Sequence, residues 1–234
     1  MPTDPYSVHE LGDAELEQEL TSRWGEVMPT NPELGASLLR RYAEPQRRYH
    51  GRQHLLQVLR MVDRLAGAED LVLVRLAAWF HDAVYDLPER ELTNEEASAR
   101  LSVRELSRAG FEQEDLTQVS RLVRLTATHL PGTRDPEGYL LCDADLAVLA
   151  APPEQYEAYV AAVREEHAAV PEEQFLAGRL AVLAPISDSE IFRSPKAQSL
   201  KKAARANLRR ELWSIRDRLG LEQPDDDAVR GSRS

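Results

Sequence analysis

The fold is decided by the segment "LVLVRLAAWFHDAV", Leu71 to Val84, in which apolar residues occur on every side of one predicted helix. A helix that is apolar all round is buried at the centre of a domain, so we place this helix in the core. His81 and Asp82 stand next to each other near its end. Burying an imidazole or a carboxylate without a partner costs several kcal/mol. The sequence therefore predicts that both groups bind something inside the protein.

Helical periodicity dominates the rest of the chain, with no alternating strand pattern and no Asn-Gly hairpin signal. We predict an all-α fold, a single-domain bundle of nine to ten helices over residues 13–220. A flexible N-terminus (residues 1–12) and a disordered acidic tail (residues 221–234) are expected to flank it. Thr93 is the predicted N-cap of the fifth helix, and Glu96 completes a capping box. The ten predicted helices are Asp13–Met28, Asn31–Tyr42, Arg52–Leu65, Leu71–Val84, one that opens at Thr93, Glu112–Thr128, a short one in "CDADLAVLA", Glu154–Ala168, Glu172–Leu183 and Lys196–Leu219. The longest irregular links are predicted at Pro131–Gly138 and Ala184–Pro195.

The composition limits the class of protein and the chemistry of any metal site. The 234 residues are 42% hydrophobic and 29% charged, as in an ordinary globular domain. The net charge of −11 disfavours a long nucleic acid as partner. With no apolar run long enough for a membrane span and no signal-peptide pattern, we expect a cytoplasmic protein without a membrane partner. Cys142 is the single cysteine, so a metal would be held by histidines and carboxylates.

Two segments direct ionisable groups towards the core. His54 shares a helical face with apolar residues at helical spacing, and His81 and Asp82 end the central helix. A lone inward histidine is more often a core residue bonded to a carbonyl than a ligand. His50 and His54 also form an HxxxH spacing, but Gly51 makes a continuous helix there doubtful, so this spacing is a weak zinc motif.

A third segment, "CDADL", supplies a carboxylate. Asp145 lies on the face of Leu141, Val148 and Leu149, whereas Asp143 lies on a face of smaller residues, so we favour Asp145 as the inward one. Either aspartate could instead cap a helix. His129, at the end of the sixth helix, is predicted to reach the same end of the bundle. A divalent ion would satisfy two imidazoles and two carboxylates together.

An ordered series of motifs from Leu16 to Leu219 resembles one known family. The segments are "RYHGRQH", "AAWFHDAVYD", "NEEASA", "ATH", "DADLAVL", "YVAAVREEH" and "ARANLRREL". They resemble the HD-domain metal-dependent phosphohydrolases, and more narrowly a small bacterial subgroup of predicted HD phosphohydrolases. The resemblance implies an all-helical domain whose metal ligands are His54, His81, Asp82 and Asp145. His167 stands where the subgroup often has tyrosine, and the absence of a lysine after the HD pair argues against the oxygenases of the superfamily.

These ligands would leave room for water and substrate on one divalent ion, with Mn, Fe, Co, Ni, Zn or Mg all compatible and a second ion left open. The expected substrate is a small phosphate ester, with nucleotides among the candidates, hydrolysed by water that the metal activates. The candidate catalytic residues are Asp82, His129 and Glu95, and the candidate substrate-binding residues are His50, Arg52 and Arg164. Glu95 could equally be an exposed acid at a helix start. For both arginines an ion-paired surface position is the commoner alternative.

Two other classes of function are kept beside hydrolysis. The first is a catalytically inactive helical module that binds a metal or a nucleotide without turnover. The second is an interaction protein whose histidines merely satisfy one another in the core. It requires several separate segments to imitate a ligand set by chance, so we rank it last. The sequence predicts neither the identity of the substrate nor the oligomeric state.

Overall fold

A computed structural model describes residues 6, 11–66, 71–89 and 91–223. These residues form ten α-helices and no strand, which confirms the all-α prediction. Short 3-10 helices occur at Leu146–Ala150 and Pro195–Leu200. Most of the predicted flexible N-terminus and acidic tail lies outside the described residues. The α-helices are α1 (Asp13–Val27), α2 (Pro32–Tyr42), α3 (Arg52–Ala66), α4 (Val72–Phe80), α5 (Asn94–Arg108), α6 (Gln113–Leu125), α7 (Pro136–Asp145), α8 (Pro153–Glu166), α9 (Glu172–Asp188) and α10 (Lys201–Arg218).

The predicted central helix is α4. It packs against α1, α3, α5, α6 and α7, and every residue from Leu76 to Phe80 is completely buried. The helix ends at Phe80, four residues before the predicted end at Val84. The chain turns there because Ala83 donates its N–H to the carbonyl of Phe80, the tighter spacing of a 3-10 turn. His81 and Asp82 therefore lie in a turn at the end of the most buried helix.

The helix α7 begins earlier than predicted, at Pro136, in a segment that we read as an irregular link. Asp135 is its N-cap and accepts the N–H of Gly138 at 3.0 Å, and proline is well suited to the first helical position. The sequence "DPEG" carried this signal. The helix packs against α3 and α4, so that Asp145, its last residue, lies beside the turn that follows α4.

The helix α5 begins as predicted, with one difference. Thr93 caps it by accepting the N–H of Glu96 at 3.3 Å, so the N-cap is confirmed. The reciprocal half of the capping box is wrong, because the Glu96 carboxylate binds Arg100 and Arg124 instead. The contact with Arg124 ties α5 to α6, the helix with which α5 packs most extensively.

The helices α8, α9 and α10 form one side of the molecule. Asn207 of α10 donates to the carbonyls of Leu149 and Ala151, which fixes α10 against the 3-10 helix that follows α7. The helix α9 packs on α10 and continues through Pro185 to Asp188, beyond the predicted end at Leu183. None of the helices in the described ranges is long and apolar enough to cross a membrane.

Candidate metal centre

Three elements bring two imidazoles and two carboxylates to one point. The Nε2 atoms of His54 on α3 and His81 after α4 lie 3.1 Å apart. The Oδ2 of Asp82 lies 3.5 Å from His54 Nε2 and 3.1 Å from His81 Nε2. The Oδ1 of Asp145 lies 3.2 Å and 3.6 Å from the same two nitrogens. The four sequence-predicted ligands are thus grouped around the pair of histidine nitrogens.

This arrangement fits a divalent ion. With bonds of about 2.1 Å, adjacent ligand atoms of an octahedral or tetrahedral ion lie about 3.0–3.4 Å apart. The five distances above fall at or near that range. Ligand atoms of His54, His81 and Asp82 all lie within 4.8 Å of one another, so these three residues could hold an ion together. Asp145 joins the group through its contacts with both histidines. The donor set of two nitrogens and two oxygens suits Mn, Fe, Co, Ni or Zn.

The four groups interact strongly with one another. Burial opposes protonation of His81, but the carboxylates of Asp82 and Asp145 outweigh it and raise the pKa of His81 to about 9. The pKa of His54 is also raised, because hydrogen bonds to the same carboxylates exceed the effect of burial. Burial opposes ionisation of Asp82 and Asp145, yet the neighbouring histidines hold the pKa of each well below its usual range. The carboxylates are therefore ionised, and an ion that bound the histidine nitrogens would displace their protons.

Hydrogen bonds fix the orientation of these groups. His81 Nδ1 lies 2.8 Å from the carbonyl of Ala78, so this nitrogen donates and Nε2 is left to bind an ion. His129 follows α6 in the left-handed region, at φ 53°, which is uncommon outside glycine. Its Nε2 lies 2.8 Å from Oδ2 of Asp145, the oxygen that does not face His54. His129 thus contacts the cluster through Asp145.

The two neighbouring aspartates of "CDADL" have different partners. The Asp143 carboxylate accepts the backbone N–H groups of Arg193 and Ser194 at 3.0 Å and 2.7 Å, so it holds the segment that precedes α10. Asp145 faces the histidines. The structure therefore places Asp145, the favoured residue of the pair, in the cluster.

The segment after the HD pair is held by α5. Ser98 Oγ accepts the N–H of Val84 and also contacts its carbonyl, while the Asn94 side chain bonds to both the N–H and the carbonyl of Asp86. Because both side chains are buried, these bonds hold the chain rigidly where it leaves the cluster. They give the "NEEASA" motif a structural role that the sequence analysis did not assign.

A buried carboxylate that sequence reasoning missed lies behind His50. Glu166, the last residue of α8, accepts the backbone N–H groups of Arg48, Tyr49 and His50 at 2.8–2.9 Å. It also contacts His50 Nδ1 at 2.7 Å and the Tyr85 hydroxyl at 3.0 Å. The ring of His50 stacks on that of Tyr85, with centroids 4.4 Å apart. Five hydrogen bonds on one carboxylate thus position His50, the first histidine of the motif "RYHGRQH".

A cavity of about 930 Å³ opens over the cluster. His54, Asp82 and Asp145 line it, and so do three other candidate site residues, His50, Glu95 and His129. His167 also lines this cavity, although its Nδ1 bonds to the carbonyl of Val163 in its own helix. The volume is within the range of small-molecule sites, about 300–1,000 Å³.

The structure does not bring Arg52 or Arg164 to this cavity. Arg52 points to α1, where it pairs with Asp13 and Glu17. Arg164 pairs with Glu172 and donates to the carbonyls of His167 and Val170, in a separate groove between α8, α9 and α10. Both arginines thus occupy the ion-paired positions that the sequence analysis gave as the alternative, and they are not retained as substrate-binding candidates.

The HD domain family model matches residues 51–171, slightly more than half of the chain. The matched span contains all four residues of the cluster, from His54 to Asp145. The chain has no significant match among curated proteins and none among solved structures. HD domains bind divalent metals and are typically metal-dependent phosphohydrolases. With its helical fold and its buried His-His-Asp group, this chain belongs to the HD domain family.

Proposed function

We propose that this protein is a metal-dependent phosphohydrolase that cleaves a phosphate ester of a small molecule. The observation that carries the proposal is the convergence of His54, His81, Asp82 and Asp145 at the base of a cavity large enough for such a substrate. The family membership supports the same reaction class. The cavity volume and the net charge of −11 support a small substrate more than a long nucleic acid.

We assign the four residues as ligands of one divalent ion. A divalent ion supplies Lewis acidity at such a site, polarising a phosphoryl oxygen and lowering the pKa of water. The buried carboxylates of Asp82 and Asp145 offset the charge of the ion, and His81 is oriented by the carbonyl of Ala78. The proposal leaves a second ion open, because His50, His129 and Glu95 also line the cavity and His129 contacts Asp145.

The remaining polar groups of the cavity have roles in the hydrolysis. The oxygen of water bonds to phosphorus while the ester P–O bond breaks, and the leaving oxygen takes up a proton. His50, with Nδ1 bonded to Glu166, presents its other nitrogen towards the cavity and is suited to bind the phosphate or to donate this proton. His129 is the second candidate for the same task. We assign the orientation of the water to Glu95, which is half-buried at the first turn of α5 and lines the cavity.

The test is a hydrolysis screen of phosphomonoesters, phosphodiesters and nucleotides with Mn²⁺, Co²⁺, Ni²⁺, Zn²⁺ or Mg²⁺. We expect metal-dependent release of phosphate or alcohol by the wild type and a loss of at least about 100-fold in Asp82→Asn. Glu105→Gln, which changes a half-buried acid that pairs with Arg104 and Arg108 and does not line the cavity, is the matched control and should retain wild-type rates.

Two results would contradict the proposal. One is the absence of turnover with every metal and ester, and the other is turnover that Asp82→Asn leaves unchanged. Tight nucleotide binding without product release would instead support the alternative of a catalytically inactive binding module.

A further inference from the structure

The cavity has two unlike ends. Its base is polar and holds the metal-binding cluster with His50 and His129. Its outer wall is built by α9, whose cavity-lining residues are mostly apolar. The apolar ones are Phe175, Ala181, Val182, Leu183, Pro185 and Ile186, and the other lining residues of α9 are Gln174, Gly178 and Arg179.

Several apolar side chains of α9 are not buried against the neighbouring helices. Its composition is apolar, yet only Leu176 and Leu183 are buried. Val182 is 57% exposed and Leu130 is 59% exposed, and both line the cavity. These are two of the four large apolar side chains that are exposed in the described part of the chain. Exposed apolar surface concentrated on one cavity marks a binding site for an apolar group.

The charges of the cavity argue against a substrate with several phosphates. Among the described residues, Arg179 is the only lysine or arginine that lines it. Its side chain is 9% exposed, and its guanidinium already binds Glu211 and the hydroxyl of Tyr159. Glu89 and Glu95 add negative charge to the lining. Multiphosphate sites present several basic groups or oriented N–H donors, and this lining offers one engaged guanidinium.

We propose that the substrate is a monoester carrying a single phosphate and a large apolar or aromatic organic group, and that α9 binds this organic group. The proposal rests on the proposed phosphohydrolase function. The phosphate sits at the polar base, and the organic group covers the wall around Val182. Hydrolysis yields inorganic phosphate and an apolar alcohol, with the proton of water passing to the leaving oxygen.

The first experiment compares esters that differ only in their organic group. Ethyl, butyl and hexyl phosphate and glycerol 1-phosphate all release a primary alcohol, so differences among them report binding more than leaving-group reactivity. A buried methylene contributes about 0.8 kcal/mol, which is roughly fourfold in affinity. We expect KM to fall about two- to fourfold per methylene along the alkyl series, and glycerol 1-phosphate and nucleoside triphosphates to be poor substrates.

A matched pair of variants locates the effect. Val182→Asp should raise KM for hexyl phosphate about tenfold and leave KM for glycerol 1-phosphate unchanged. Trp213→Asp is the control, because Trp213 is also 57% exposed but lies on α10 outside the cavity lining. Trp213→Asp should change neither the KM for hexyl phosphate nor the KM for glycerol 1-phosphate. Both side chains are largely in solvent, so neither substitution is expected to prevent folding.

Binding of non-hydrolysable phosphonates gives a readout that does not depend on turnover. Calorimetry of the Mn²⁺-loaded protein should show hexylphosphonate binding at least tenfold more tightly than methylphosphonate, with the preference lost in Val182→Asp. Equal affinities, or faster turnover of triphosphates than of hexyl phosphate, would overturn this inference and leave the phosphohydrolase proposal standing. If no ester were hydrolysed but hexylphosphonate were still preferred, the phosphohydrolase proposal would fail and the binding of an apolar group by α9 would stand.

Discussion

Glu166 holds His50 through a 2.7 Å contact between Oε2 and Nδ1, while its other oxygen accepts the N–H groups of the loop that carries the histidine. The carboxylate is fully buried and the histidine reaches the cavity. A buried carboxylate in this position fixes which nitrogen of the ring donates and which one faces a ligand. Glu166 is therefore a positioning residue, since it acts through His50 and is not part of the cavity lining.

The first prediction is that Glu166→Gln lowers kcat by about 10–100-fold with a smaller change in KM. The glutamine oxygen can still accept the loop N–H groups, but its nitrogen cannot accept the proton of His50 Nδ1. The measurement is steady-state hydrolysis together with a double-mutant cycle using His50→Gln. If the two residues act as a unit, the double variant should have nearly the same kcat as Glu166→Gln alone. If the double variant instead showed the sum of the two single losses in activation free energy, Glu166 would act only by holding the loop at residues 48–50.

A second prediction concerns acid stability. Burial opposes ionisation of Glu166, but hydrogen bonds from His50 and the backbone outweigh it and lower the pKa of Glu166 from 4.5 to about 2. Because the folded-state pKa is lowered, the stabilisation is complete above pH 4.5 and is lost as the pH falls towards 2. Between pH 6 and pH 2.5 the wild type should lose about 2 kcal/mol more unfolding free energy than Glu166→Gln.

Chemical denaturation at a series of pH values measures this difference. Other carboxylates also contribute to the loss of stability in acid, notably Asp82 and Asp145, whose pKa values are lowered in the folded state, but they are common to both proteins and cancel in the comparison. If the unfolding free energies of the wild type and of Glu166→Gln changed with pH in parallel, the lowered pKa of Glu166 would be contradicted.

The cluster of His54, His81, Asp82 and Asp145 was predictable because its groups follow strong local signals. The uniformly apolar segment around Trp79 indicated a central helix, and the helical spacing of His54 and Asp145 indicated which way each side chain faces. Glu166 was not predictable in this way, because its role depends on where the end of α8 meets the loop at residues 48–50. In "REEH" the resemblance directed attention to His167, whereas Glu166 makes the contacts.

Helix ends and surface charges were the least predictable features. The prediction of an irregular link before Gly138 is wrong, because "DP" begins a helix there, and α9 continues through Pro185. Whether an arginine meets a phosphate or a carboxylate depends on tertiary neighbours that one sequence does not show. Arg52 illustrates this, because its partners on α1 are more than thirty positions away in the sequence.

The third prediction separates the two aspartates of "CDADL" by their response to metal. An ion present at 100 times its Kd stabilises the folded state by about 2.7 kcal/mol, which corresponds to an increase in Tm of about 5–10 °C for a chain of this size. Asp145→Asn should abolish this increase with Mn²⁺. Asp143→Asn should keep it and lower the metal-free Tm, because one of two buried N–H groups loses its acceptor at a cost of about 1–2 kcal/mol.

Differential scanning fluorimetry with and without EDTA measures both effects. The assignment of the ligands would be wrong if Asp145→Asn retained the full response to Mn²⁺. It would be reversed if Asp143→Asn abolished that response instead.

The last prediction tests the packing of α1 on α2 beneath the central helix. The ring of Trp24 packs edge-on against Trp79, with centroids 5.1 Å apart, and its Nε1 donates to the carbonyl of Asn31. Gly35 of α2 lies against this ring so closely that a Cβ would come within 2.3 Å of it. Gly35→Ala should therefore destabilise the protein by about 1–3 kcal/mol through overpacking, despite the better helix propensity of alanine.

The control is Gly25→Ala in α1, where an added Cβ meets no atom within 4 Å. There the better helix propensity of alanine should stabilise the protein by about 0.5–1 kcal/mol. Urea denaturation of both variants measures the two values, and a stabilising Gly35→Ala would show that the indole does not occupy this position against α2.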